Sequence, residues 1–238
     1  MAGLCLRRFP FAIFKKWRLP FNMDSKTKTT AWIAGLIALF VIVFDQWVKI
    51  YVKTHFYLGE AVPVFPWFEL RFIQNNGMAF GYELGSKLFL TFFRIVVVGL
   101  LVWYMIKLCR RKDVSRGYMI TLALITAGAL GNIIDCVFYG LIFNNPAPPF
   151  VAQFVPWGEG YSGWFRGLVV DMLYFPLFSF EWPAWLPGIG GTRFSFFDPV
   201  FNIADSAITV GFFLLIFFYA KHLPLGGNNE NKKAEAKE

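Results

Sequence analysis

Charge is scarce in this 238-residue chain: Asp, Glu, Lys and Arg make up 16% of it, against roughly 25% in a typical soluble domain. Histidine and cysteine are scarcer still. The two histidines, His55 and His222, exclude a His-rich metal cluster, and the three cysteines, Cys5, Cys109 and Cys136, lie too far apart to frame a disulfide scaffold. Hydrolytic and phosphate-binding signatures are missing too: there is no H-E-x-x-H, no G-x-S-x-G and no Gly-rich phosphate loop. Apolar residues are plentiful. At 57% hydrophobic and 20% aromatic, with 30 Phe and 9 Trp, a chain this short cannot hide them all inside itself, which excludes both disorder and an ordinary soluble enzyme. Lipid is expected to cover much of the surface.

Four apolar runs are long enough for the ~20 residues that a helix needs to cross ~30 Å of hydrocarbon. They are Ala31 to Tyr51, Lys87 to about Ile106 with Arg94 as an interruption, Tyr118 to about Val137, and Pro199 to Ala220. An even number of spans puts both termini on one side. Residues 1–30, 107–116 and 221–238 carry sixteen of the 23 Lys and Arg against five of the 15 acids, so the net charge of +8 is a topology signal rather than a nucleic-acid footprint. The positive-inside rule places both termini and the 107–116 loop in the cytoplasm.

The division that follows is a basic cytoplasmic segment 1–30, a membrane domain 31–220 and a disordered cytoplasmic tail 221–238. The two extracytoplasmic segments are about 52–86 and 138–198. Both are rich in aromatics and Pro, as in Phe65-Pro66-Trp67-Phe68 and Trp182-Pro183-Ala184-Trp185, and such sequences suit the headgroup layer. Phe68 to Ile73 alternates like a half-buried strand, which predicts a small sheet resting on the membrane. Residues 1–22 lack a signal-peptide cleavage pattern. They read equally as an extension ahead of a true start at Met23 or as an interfacial anchor.

A charged side chain inside a span costs at least ~2.5 kcal/mol on insertion scales, so each one calls for a reason. Asp45 and Lys49 are four apart, which puts acid and base on one helical face as a pair. Gly128, Asn132 and Asp135 fall within about 60° of one another on the third span; helix packing explains the glycine well and Asp135 poorly. In the fourth, Asp198-Pro199 reads as an N-cap followed by proline at the first helical position. Asn202, Asp205, Ser206 and Thr209 then form one polar stripe, with Asp205 toward the bundle interior. Asp171 lies in a β-prone apolar run, Leu168 to Leu173, just outside the membrane. Two carboxyls close together in a dry site share one proton, so one can accept a proton from water while the other polarises a carbonyl. Asp171 with Asp205 is the catalytic constellation that survives elimination. A proton- or ion-coupled transporter using Asp45, Asp135 and Asp205 is the alternative, although these acids gather toward the outer ends of the spans. A non-catalytic binding or scaffold protein is a further one.

Five motifs, in order, resemble the lipoprotein signal peptidases (signal peptidase II). Asp45-Gln46-Trp47-Val48-Lys49 is similar to that family's D-Q-x-x-K, and Asn75-Asn76-Gly77-Met78-Ala79-Phe80 to its N-x-G-x-A-F. Gly128 to Asp135 matches G-A-x-G-N-x-x-D, Val169-Val170-Asp171-Met172 matches V-V-D-F/M, and Phe201 to Ser206 matches F-N-x-A-D-S. The resemblance covers about residues 31–220. It implies an all-α membrane protein of four transmembrane helices with a small extracytoplasmic β cradle and a surface loop. Asp171 and Asp205 would be its catalytic pair, with Asn75, Gly77, Asn132 and Asn202 lining the site. Asp45, Lys49, Gly128 and Asp135 would support it.

The implied activity is an intramembrane aspartyl endopeptidase of the bacterial inner membrane, its site toward the outer face. It would cut prolipoproteins on the amino side of a diacylglyceryl-modified lipobox cysteine. Neither metal nor other cofactor is implied, and the partners are the prolipoprotein and membrane lipids acting on a monomer. Two departures stand out. Cys136 replaces the arginine that usually follows the third-span Asp, leaving Arg166 or Arg193 to stand in. The Pro- and aromatic-rich stretch 141–167 is longer than the family's link and reads as an added membrane-surface loop.

Overall fold

The computed structural model describes residues 24–76, 86–111, 114–196 and 198–222. Four of the described helices are long and apolar enough to cross a membrane: α1 Ser25–His55, α2 Lys87–Leu108, α3 Arg116–Ile142 and α4 Ile203–His222. Their ends follow ordinary capping chemistry. Asp24 accepts from the Thr27 N–H and Ser86 from that of Phe89, which satisfies donors left free at each helix start. α1 extends beyond the predicted span at both ends. At 1.5 Å per residue its 31 residues reach roughly 46 Å, more than a hydrocarbon core needs.

α3 is the axis of the bundle. Of its most apolar window 61% is buried inside the protein, against 11% for α1 and α2 and 17% for α4; the other three therefore present most of their apolar surface outward. On α1, Phe40, Phe44, Trp47, Tyr51 and His55 form a row of ring contacts at three- and four-residue intervals along the outer face, where lipid would meet them. Contact between α3 and α4 depends on small residues. Ala204, Ala207 and Gly211 of α4 are buried, and the Gly128 Cα lies so near the Ala204 carbonyl oxygen and Ile208 that a β-carbon has no room. Without a hydrophobic drive between helices in lipid, such close approach supplies the packing.

The predicted strand is present. β1 Ala61–Phe65, β2 Phe68–Asn75 and β3 Val169–Tyr174 form an antiparallel sheet in that order, with Ile73 opposite Asp171 and Asn75 opposite Val169. β4 Phe178–Glu181 and β5 Arg193–Phe196 form a separate hairpin between β3 and α4.

Two further boundaries differ from expectation. Asp198-Pro199 does not start the fourth helix; Asn202 caps it, four residues after Asp198. Phe201 is engaged in a β-bridge with Leu173, exchanging N–H···O bonds of 2.7 and 3.0 Å, and Asp198 accepts from the Tyr174 hydroxyl, so neither position is free to begin a helix. Thr209 is exposed, so the buried polar stripe stops short of it. The third helix also runs past Val137 to Ile142, passing through a π-type turn at Asp135–Tyr139.

The long stretch after that helix folds back on it. Val155, Gly158 and Ser162 donate backbone N–H groups to the carbonyls of Ile142, Leu141 and Gly140, and Gly167 donates to that of Cys136. The loop thus satisfies acceptors that a helix end and a π turn leave over. Gly167 fits there because its Cα lies against the Asp135 carbonyl, where a side chain would collide.

Replacing Gly128 by Val should force α3 from α4 and cost about 1–3 kcal/mol. Gly99→Ala, with open space around the position, should be nearly neutral. Thermal unfolding in detergent compares the two.

Candidate active site

The site is assembled from a buried ammonium outward. Lys49 of α1 has no solvent exposure, and its Nζ has three acceptors at 2.9 Å: Asp45 Oδ2 one turn back, Asp135 Oδ2 on α3, and Asn132 Oδ1. That uses all three of its donors. The acids bring more partners. Asp45 Oδ1 accepts the Ala204 N–H at the start of α4, Asp135 Oδ2 accepts the Val170 N–H of β3, and Gln46 Nε2 reaches Asp135 Oδ1 at 2.9 Å. Tyr139 donates to the Gln46 side-chain Oε1 in turn. One buried cluster therefore joins α1, α3, β3 and α4, and each of its charged groups is ion-paired and hydrogen-bonded, as burial demands.

The ammonium sets the polarity of the next layer. Because Asn132 Oδ1 faces Lys49, its Nδ2 must point the other way, and it donates to Asp205 Oδ1 at 2.7 Å. The same Oδ1 accepts from Asn202 Nδ2 at 3.1 Å, and that amide nitrogen also donates to Asp171 Oδ1 at 2.7 Å. Asn202 further closes a capping box with Asp205, which fixes the carboxyl at the first turn of α4. On the far side Asn75 Nδ2 donates to Asp171 Oδ2 at 3.1 Å. Asp171 and Asp205 thus share Asn202 as a common neighbour. Burial, with the Asp205 carboxylate adding to it, pushes the Asp171 carboxyl up to about 7 against the lowering effect of the two asparagines. A near-neutral carboxyl beside a second one is equipped for acid–base work.

Of the ten residues singled out from sequence, Asp171, Asp205, Asn75, Asn132 and Asn202 converge at this point, and Asp45, Lys49 and Asp135 form the cluster beneath. Gly128 is a packing residue against α4, one turn from Asn132. Gly77 lies outside the described residues. Cys136 is buried, and Arg94 of α2 donates to its sulfur at 3.6 Å; Arg166 is exposed beside Ser162 and Lys87 along a cavity of about 290 Å³. Sequence reasoning gave no role to Gln46, although an amide inside an apolar span was signal enough. It also passed over Lys53, which is fully buried among the rings of Phe72, Phe143 and Tyr161 at 5.2–5.7 Å. Among the described residues no group of His, Cys, Asp or Glu is spaced to hold a metal ion.

The fold has counterparts among solved structures of bacterial membrane enzymes. Two solved structures so described match it, with TM-scores of 0.52 and 0.54 and identities of 27% and 26%; they cover 82% and 83% of this chain and 94% and 93% of theirs. The chain belongs to the signal peptidase II family, whose model, described as Signal peptidase (SPase) II, matches residues 37–221. It is accordingly a peptidase and a multi-pass membrane protein. A lipoprotein signal peptidase of Porphyromonas gingivalis is 49% identical over 193 residues, 81% of this chain and 84% of the relative. That of Amoebophilus asiaticus is 37% identical over 186 residues, 76% and 74% of the two chains.

Lys49→Met would leave two buried carboxylates without their cation, and should cost about 3–5 kcal/mol. Replacing Asp45, Lys49 and Asp135 together by Asn, Met and Asn should cost less, since no charge is then stranded. Chemical or thermal unfolding of the two variants orders them. Asp171 behaves differently with pH. Its carboxyl ionises near 3.8 when unfolded and near 7 in place, so the unfolded chain gives up the proton first and stability falls as pH rises between those values. Asp171→Asn should therefore gain on the wild type in melting temperature from pH 5 to pH 8. An unchanging difference across that range would show that the carboxyl is not held neutral.

Proposed function

We propose that this chain is an aspartic endopeptidase of the bacterial inner membrane that removes signal peptides from prolipoproteins. It cuts on the amino side of the lipobox cysteine once that residue carries diacylglyceryl. The observation that carries this reading is the bridging of Asp171 and Asp205 by Asn202, with Asn132 tying Asp205 to the buried cation below. Family membership and relatives that are lipoprotein signal peptidases support the substrate class.

In the reaction, Asp205 accepts a proton from the attacking water while Asp171 gives its proton to the scissile carbonyl oxygen. The tetrahedral intermediate then collapses. The C–N bond breaks, the cysteine nitrogen leaves with a proton from Asp205, and Asp171 recovers its own from the hydroxyl. Asn75 and Asn202 hold Asp171 from two sides, and Asn132 orients Asp205, so the pair is placed before substrate arrives. Gly77 and the neighbouring Asn75 belong to the substrate-lining segment. The whole constellation comes from one chain, which supports a monomer as the working unit. Concentration of Lys and Arg in the segments 1–30, 107–116 and 221–238 supports termini in the cytoplasm and a site at the outer face, where the sheet would be extracytoplasmic. Residues 31–220 form the peptidase domain between a basic N-terminal segment and the tail.

Purified protein in detergent micelles, given a diacylglyceryl-modified prolipoprotein and followed by gel shift, should cleave it. Asp171→Asn and Asp205→Asn should each abolish turnover while inserting and folding normally, and near-normal turnover by either would refute the assignment of the pair. Because the active form keeps a proton on Asp171, kcat/KM should decline as pH rises through about 7.

A further inference from the structure

The β4–β5 hairpin has two unlike faces. Phe178 stands opposite Phe196 and Phe180 opposite Phe194, while the alternate register positions hold Ser179 with Ser195 and Glu181 with Arg193. Since side chains alternate across a strand, the four phenylalanines share one face. Their rings are in contact: Phe178 stacks on Phe196 at 4.8 Å, Phe180 lies 5.1 Å from Phe194, and Trp182 packs edge-on to both Phe180 and Phe194. Yet the outer side of this cluster is covered by nothing among the described residues. The four phenylalanines remain 38–53% exposed, and Trp185 at the turn is 78% exposed. A two-stranded hairpin alone in water is marginal, so this face needs a partner.

We infer that the β4–β5 hairpin is a membrane-docking element that lies on the bilayer surface with its phenylalanine face against the acyl chains. Its position in the fold identifies lipid as the occupant. At its base Phe175 stacks on Phe201, the residue before the N-cap of α4, and on Phe68 and Trp67; Trp67 stacks on Phe65 in turn. This aromatic row joins the hairpin to the helix end, from which Val210, Phe213 and Phe217 continue outward-facing down α4. The hairpin thus follows on the exposed apolar side of a helix long and apolar enough to cross a membrane. Composition agrees, with Trp and Phe on one face and Ser179 and Glu181 at the alternate positions of β4, the pattern of an element seated at the headgroup boundary. The Tyr174–Asp198 hydrogen bond of 3.1 Å closes the base, and the hairpin interrupts the chain between Asp171 and Asp205, so docking it sets the depth of both carboxyls relative to the lipid surface.

The test reads position, independently of any cleavage. With Cys5 and Cys109 replaced by Ser and buried Cys136 left in place, a small fluorophore is attached in turn to F180C and S179C protein in phosphatidylethanolamine–phosphatidylglycerol vesicles. The label on F180C should be quenched several-fold more by nitroxide on a lipid acyl chain than by aqueous iodide, with the order reversed for S179C. Equal iodide quenching at both positions would overturn the proposal, as would a label on F180C shielded from both quenchers in proportion to protein density, which would mean a second copy covers the face. The hairpin without a cysteine gives a second reading: brominated acyl chains should quench wild-type tryptophan emission more than that of W185F protein. Identical quenching of the two would place the turn away from lipid and refute docking.

Discussion

A single ammonium with no access to water governs this structure. Lys49 is tolerable in a membrane interior only because Asp45, Asp135 and Asn132 receive all three of its protons. Asp45 and Asn132 are held in turn from the start of the fourth span and Asp135 from β3, so the requirement to neutralise one cation brings the first and third spans, that strand and the start of the fourth into a fixed relation. The amide of Asn132 translates that requirement into chemistry. Its oxygen is claimed by Lys49, its nitrogen is therefore free only for an acceptor, and the acceptor is Asp205.

Asp171 and Asp205 reach each other by different routes, one on a sheet strand and the other on the first turn of a helix, and Asn202 is the joint. That joint exists because the preceding residue, Phe201, remains extended and pairs with Leu173. The strand and the helix start are thus stitched together one residue before the cap. Such an arrangement runs against stability: a carboxyl pushed up to about 7 is one that the fold would rather keep protonated. Tension of this kind is expected at sites built for acid–base work.

Much of this was legible because the relevant signals are local. Asp45 and Lys49 announce themselves by spacing, Gly128, Asn132 and Asp135 by angle, and Phe68 to Ile73 by alternation. The convergence of Asp171 on Asp205 came from elimination and from family motifs, and the geometry brings those residues together. What escaped depends on partners far away in sequence. Asp198-Pro199 has the local chemistry of a helix start, yet Tyr174 and Leu173 take the groups that a helix would have used. The π turn at Asp135 leaves no mark in composition, since Gly167, some thirty positions on, accommodates it. Lys53 drew no attention in the sequence; only the fold reveals the aromatic rings around it.

The order in which the pieces leave the ribosome has a consequence of its own. Asp45 and Lys49 are made first and can satisfy each other at once, being one turn apart. Asn132 and Asp135 follow with the third span, then Asp171 with the strand. Asp205 sits at the start of the last span. Until that span is made, the chain carries one carboxyl of the pair and has nothing with which to share its proton. With Asp171 and Asp205 as the proposed pair, a half-inserted molecule, in a membrane crowded with other nascent segments, would lack the means to cut them.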